Sequence, residues 1–222
     1  MANGQVGTGF SKPYVAKYSY APLTGAVTYS DGANLARGVD VSIEPSTGND
    51  NNFYADNVTA ETESGTFTGG TLNLTVDGLF IASERLISGL PAAENVTVGT
   101  ASVPVTSYGN DATPPDMGFG FIWRRQSAGV VTYTPVMLTK VKFAPVSTSA
   151  STQGESIDWQ TQSLSATIMR DDTANGRWKR VGEPQTTELA AENVIRVLLG
   201  LSVITTGGGD EEDEEDEGDG VG

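Results

Sequence analysis

The clearest hydrophobic pattern in the chain runs over residues 71–76, where Leu72, Leu74 and Val76 point one way and Thr71, Asn73 and Thr75 the other. A period of two predicts a half-buried strand with one face on a core and the other in a wet environment. Immediately afterwards Leu79, Phe80, Ala82, Leu86, Ile87 and Leu90 form broadly one helical face, and Gly89 and Pro91 punctuate its end. The pattern therefore predicts a strand feeding directly into an amphipathic helix. Asp77 is the expected N-cap, because a short carboxylate can accept from the free N–H groups of the first turn and suits the positive end of the helix dipole.

The same alternation recurs at Val39, Val41 and Ile43 against Asp40, Ser42 and Glu44, predicting a second half-buried strand that ends at Pro45. Upstream, residues 1–12 are Gly-rich and polar and predict an extended arm, while residues 12–20 combine β-forming tyrosines with Pro13, which points to an edge strand. Residues 96–107 predict one or two strands with Gly99 as a bulge or turn. Residues 119–125 and 130–138 flank a short Gly-containing loop at 126–129 in the pattern of a hairpin. A further long strand is expected over 157–170, before a turn at 171–176 in which Asp171 and Asp172 are turn formers. A second helix is predicted over 188–199, with Thr187 as its cap and Gly200 after its last residue, followed by a brief strand at 201–205. Many short strands, Gly/Pro turns and two separated helices define the expected fold class. It is mainly β, a sandwich or open barrel of antiparallel strands with one helix packed on it and a second, C-terminal helix.

Composition refines this picture. At 222 residues and 37% hydrophobic content the chain can bury a substantial core, and no internal linker divides it. The expected organisation is an arm over 1–12, one β-domain over 13–206 and a disordered acidic tail over 207–222, which lacks the apolar residues to offset its ordering entropy. The net charge is −15, of which residues 210–219 contribute nine negative charges, leaving −6 for the rest. A mildly acidic body argues against a groove that grips nucleic-acid phosphates, since that affinity comes from Lys and Arg displacing counterions. It suits a surface past which DNA slides without sticking. With no Cys and no His, thiolate and imidazole chemistry is excluded, and no metal or cofactor is expected. The opening residues lack the basic and apolar regions of a signal peptide, and no apolar run is long enough to cross a bilayer as a helix, so no membrane association is expected.

Candidate chemistry is thin. Asp56, Glu61 and Glu63 are the acids nearest to a glycosidase pair, but their spacing fixes no separation, and solvated loop acids are the simpler reading. The Gly-Phe-Gly-Phe run at 118–121 lacks the nucleotide-binding spacing, and its glycines predict close approach of another segment. Arg124, Arg125, Lys140 and Lys142 form a small basic cluster on the predicted hairpin, suited to acidic surfaces of a neighbouring chain. Trp123, Trp159 and Trp178 are read as core or interface residues and not as a sugar platform. The acidic tail is a solvated tail by default; a tether for a basic partner and a weak cation sponge are its other readings. It lacks the ligand pattern of a calcium loop.

Several blocks in order carry a resemblance: KPYVAKYSY and VDVSIEP, then NNFYADN leading to GTFTGGTLNLTVDGL, then MGFGFIWRRQSAGVVTYTPVMLTKVKFAPVSTSASTQGESIDWQTQSLSATIMRD with NGRWKRV behind it. Together, over about residues 10–181, they resemble the major tail protein, or tail tube protein, of long non-contractile-tailed bacteriophages. The resemblance implies a β-sandwich subunit that closes into homo-hexameric rings stacked as a hollow tube, made in the host cytoplasm and carried in the virion tail. It implies a tape measure protein in the lumen, tail tip and tail terminator proteins at the ends, and DNA passing through without specific binding, with no catalytic site. Within that frame the 49–63 loop, with Asn52, Phe53, Tyr54 and Asp56, and the hairpin tip, with Arg124, Arg125 and Gln126, are expected at subunit contacts. Both carry more polar and aromatic residues than a turn needs. Thr71, Asn73 and Thr75 are the expected lumen-facing row. The alternative is a β-sandwich binding or capsid-decorating module for carbohydrate or protein.

Overall fold

The computed structural model describes residues 4–152 and 159–205. Its strands in chain order are β1 (Val6–Ala21), β2 (Ala26–Asn34), β3 (Gly38–Thr47), β4 (Asn51–Ala55), β5 (Val58–Glu63) and β6 (Phe67–Val76). After the helix α1 (Ile81–Ser88) come β7 (Glu94–Val98), β8 (Ala101–Val105), β9 (Asp116–Ser127), β10 (Val130–Phe143), β11 (Gln162–Met169) and β12 (Lys179–Val181), and then α2 (Glu188–Leu198). The fold is mainly β and antiparallel, with two helices among the described residues, as the period-two segments predict.

One sheet dominates, in the order β2-β1-β9-β10-β11-β6-β3, with β12 attached to β10. Strand β10 is its pivot. Residues Val130–Leu138 pair with β9, the register shifts between Leu138 and Val141, and β9 pairing resumes at Val141 and Lys142 while Lys140–Phe143 pair with β11 on the other side. The two halves enclose Leu72, Leu74, Val76, Leu164, Ala166 and Ile168 on one side and Met117, Phe119, Phe121, Val136, Leu138, Val141 and Phe143 on the other. Ile87 of α1 joins this core. A second, smaller core lies on the opposite face of β1, β9 and β10, where α2 packs Ala191, Ile195 and Leu199 against Tyr14, Ala16, Ile122 and Met137. That two-sided burial explains why β9 reads as a continuous apolar run. The glycines within it provide the approach expected of them: a Cβ on Gly120 would stand 2.5 Å from Ile195 Cγ2, and one on Gly118 would stand 2.8 Å from Leu199 Cδ2.

Several expectations change. The segment expected as an arm is already strand from Val6, paired with β9. β1 is flanked by β2 only from Tyr14 onward, so Pro13 lies at the end of its edge half, at an irregularity in the β9 pairing between Ser11 and Tyr14 where Lys12 adopts φ 55°. β3 continues through Pro45, which an edge strand tolerates because no partner needs its missing N–H. Helix α1 begins four residues after Asp77, at the backbone of Phe80, with no side-chain cap. The Asp77 carboxylate instead accepts from the backbone N–H of Arg37 at 3.0 Å and from its guanidinium at 2.5 Å. By contrast, Thr187 caps α2 as expected, accepting from Ala190 N–H at 3.2 Å. Residues 201–205 form no strand, and the β11 strand begins at Gln162. The start of the predicted 157–170 strand and the acidic tail lie outside the described residues, apart from Trp159 onward.

Candidate functional site: two hairpins, a polar sheet face and a cleft

Thr71, Asn73 and Thr75 lie on the outer face of β6, away from the core that Leu72, Leu74 and Val76 enter. Their cross-strand neighbours extend them into a lattice. Glu44, Thr71 and Thr167 form one row, Ser42, Asn73 and Ser165 the next, and Asp40, Thr75 and Ser163 the third. Helix α1 inserts Ile87 into the apolar core on the other side of β6. These nine positions carry two carboxylates, short polar side chains and no cation. Lys142, opposite Thr167 on β10, extends the first row. Such a face offers hydrogen-bonding groups with one cation, Lys142, at its border, in place of the array of positive charge that holds nucleic-acid phosphate.

The expected contact loop at 49–63 is a hairpin. Asp56 and Asn57, at φ 51° and 63°, make the two-residue turn between β4 and β5, a conformation that Asp and Asn accept more readily than most residues. It continues the β3–β6 ribbon past a tight crossing, where a Cβ on Gly65 would stand 1.8 Å from the carbonyl oxygen of Gly48. Asn52 accepts from the Thr62 hydroxyl at 2.7 Å. Every residue of both strands is exposed, and Phe53 and Tyr54 retain 64% and 63% of their accessible surface. Asp56, Glu61 and Glu63 sit along this open ribbon, with Asp56 at its turn.

A second exposed hairpin, β7–β8, escaped sequence reasoning as a contact surface. Its register pairs Val96 with Val103 and Val98 with Ala101, and places Val105 opposite Glu94, so four valines share one face. Val98 is 62% exposed and the other three are exposed as well. Their signal in the sequence is the alternation of valines on either side of Gly99, whose φ of 63° makes the turn. A two-stranded hairpin with an apolar face in water is marginal by itself.

The β9–β10 hairpin tip is set by Ala128 and Gly129, at φ 49° and 82°. Arg124 pairs across to Tyr133 and Gly9, donating to the Thr8 hydroxyl at 3.3 Å, and Gln126 lies between Val6 and Val131. Arg125 lies 3.8 Å above the Trp123 ring and donates to Gln5. The expected four-cation cluster is divided by strand length. Lys140 and Lys142 stand at the far end of β10, where Lys140 is held by Asp172 at 2.7 Å and Asp116 at 3.3 Å. Burial pulls the Lys140 ammonium down, but these carboxylates outweigh it and its pKa lies above the ordinary value. Asp172, bonded to Lys140 and to the Tyr18 hydroxyl, is held below the usual carboxylate range. At the tip the companion of Arg125 is Lys179, whose pKa is lowered by burial and then by the Arg125 charge.

Between the free edge of β3 and the half of β1 that β2 leaves unpaired lies a cleft of about 610 Å³. Phe10, Val41, Phe121, Trp123 and Lys179 line it. Its one substantially exposed ring, Trp123, is covered by the Arg125 guanidinium. The other tryptophans are elsewhere. Trp178 stacks on Phe67 at 4.5 Å, and Trp159 is exposed, so the three form no common platform. Among the described residues no acidic cluster is placed to hold a metal ion, and no helix is long and apolar enough to cross a membrane. No protein-family model matches the chain, and no curated protein matches it.

Proposed function

We propose that this chain is a structural subunit of a bacteriophage tail tube, assembling into hexameric rings that stack around a lumen for DNA. The observation that carries the reading is the pair of exposed hairpins, β4–β5 and β7–β8, with Phe53, Tyr54 and four valines in solvent. Apolar ribbons that a single subunit leaves uncovered gain their burial from neighbouring copies, and a contact between two different patches closes into a ring or propagates as a filament. The free edges of β2 and β3 offer backbone pairing in addition. The polar lattice around Thr71, Asn73 and Thr75 supports the lumen assignment, because a single bordering cation, Lys142, gives passing DNA no phosphate-binding array. Tape measure, tail tip and terminator proteins are the partners this role requires.

The test uses Phe53→Ala and Arg124→Ala. Both variants keep the monomer's circular dichroism and melting temperature and fail to form tubes; normal tubes from both would remove the contact assignment. The cleft favours a second reading, a carbohydrate- or protein-binding module. It is the weaker one, because the guanidinium of Arg125 already occupies the face of Trp123 that a sugar would stack on.

A further inference from the structure

We infer that the cleft between β1 and β3 is the socket for the β4–β5 hairpin of a second copy of this chain, with Phe53 seated among its apolar residues and Glu61 and Glu63 set against Lys179 and Arg125. The hairpin presents one composed face. Its register sets Asn51 opposite Glu63 and Phe53 opposite Glu61, so these four side chains project together. The result is an aromatic ring flanked by two carboxylates, all of it exposed on its own subunit. Among the described residues neither Glu61 nor Glu63 forms an ion pair.

The cleft is the complement of that face. Phe10, Val41, Phe121, Trp123 and Val136 give it an apolar lining, and its volume of about 610 Å³ is in the range that takes a few side chains. Two cations stand on the same side of the sheet. Arg125 is two residues along β9 from Trp123 and stacks on its ring at 3.8 Å, and Lys179 pairs with Leu138, which enters the adjoining core. Both lack a counter-charge: among the described residues neither forms an ion pair, and Arg125 Nε is buried without a hydrogen-bond partner. Asp40, the one carboxylate that lines the cleft, is paired with neither. Burial and the Arg125 charge hold Lys179 below its ordinary pKa, a cost that an incoming carboxylate offsets. The hairpin does not serve its own subunit's cleft, whose lining includes none of its residues. It continues the β3–β6 ribbon outward, and Phe53 lies about 30 Å further along it than Ile43 of the cleft wall. The contact therefore joins two different patches on two copies, the head-to-tail kind that closes a ring or propagates.

The docking asks only that two copies meet; that the contact builds a tube rests on the tail-tube reading. The experiment is zero-length carbodiimide coupling of carboxylate to amine in the concentrated full chain at low salt, mapped by mass spectrometry, with light scattering on the same sample. Equal amounts of unlabelled and heavy-nitrogen protein are mixed, so that coupling between copies is told from coupling within one. The Lys12–Glu192 and Lys140–Asp172 pairs are controls for native geometry within a chain. Expected are cross-links from Glu61 or Glu63 to Lys179 that join the two isotopic forms. In Phe53→Ala, which removes an exposed side chain and the anchor, their yield falls about tenfold or more while both controls persist. Association by scattering with Lys179 uncoupled, or coupled instead to Glu94 of the β7–β8 hairpin, would overturn the docking and leave the tail-tube reading standing. A monomer at every concentration, with the controls intact and no coupling between copies, would overturn both.

Discussion

Gly120 shows how one missing methyl group sets the position of a helix. Ile195 of α2 occupies the space a Cβ would take, so Gly120→Ala forces the helix off the sheet and costs about 1–3 kcal/mol. Ile195→Ala alone leaves a cavity and costs about 2–5 kcal/mol. Combined, the two changes cost less than their sum, because the new methyl group partly fills the space vacated; additive costs in urea unfolding would show that the two residues do not meet. The tyrosines supply a second prediction. Burial, reinforced by the Asp172 side chain, pushes Tyr18 up to about 12, and the hydrogen bond to Glu84 pushes Tyr108 up to about 12; burial raises Tyr29 also. A folded-state pKa above the ordinary value of 10 means the neutral phenol is favoured by the fold. That contribution is complete below pH 10 and is lost as pH rises from 10 through about 12. Melting temperature therefore falls across that window, and the ultraviolet signal of tyrosinate in the native protein lags that of the unfolded chain; coincident titrations would contradict the assignment. Asp77 marks the limit of reading single residues. A carboxylate before an apolar helical run has the character of a cap, but the Arg37 guanidinium and backbone N–H, forty residues upstream, compete for the same oxygens and win.

At the scale of elements, the legible ones were those whose pattern is enforced by a core or by turn and cap residues. β3 and β6 follow their alternation, the β9–β10 hairpin follows its two β-forming runs and glycine turn, and α2 follows its cap and its glycine stop. β4–β5 was legible only as a loop, because Asn51, Asn52, Asp56 and Asn57 are turn-type residues and no core face imposes alternation on them. β7–β8 was legible as strands but not as a surface, since alternating valines predict burial and the sequence does not say against what. The structure leaves them in water. Replacing Val96 and Val103 by Ser should therefore change monomer stability by no more than about 0.5 kcal/mol, as befits exposed positions. It should nonetheless weaken self-association. A large loss of melting temperature, with association intact, would mean that the valines serve the subunit's own fold.

For the whole molecule, the division of labour follows from the two faces of one sheet. The inner faces of its halves meet in an apolar core, α2 covers part of the outside, and among the described residues the β3–β6–β11 face is uncovered and polar, with Lys142 at its border. The sequence carried this face as Thr71, Asn73 and Thr75; its width came only from the register with β3 and β11, which no single strand encodes. The β10 irregularity and the cleft between β1 and β3 were not legible either, because both depend on pairings across most of the chain. In the proposed tail-tube role, a subunit with this architecture is incomplete alone. The most direct test is electron microscopy with light scattering on the concentrated full chain. Expected are rings with six-fold end views or hollow tubes, with the polar β3–β6–β11 face toward the bore; a monodisperse monomer at every concentration and salt would contradict the assembly role.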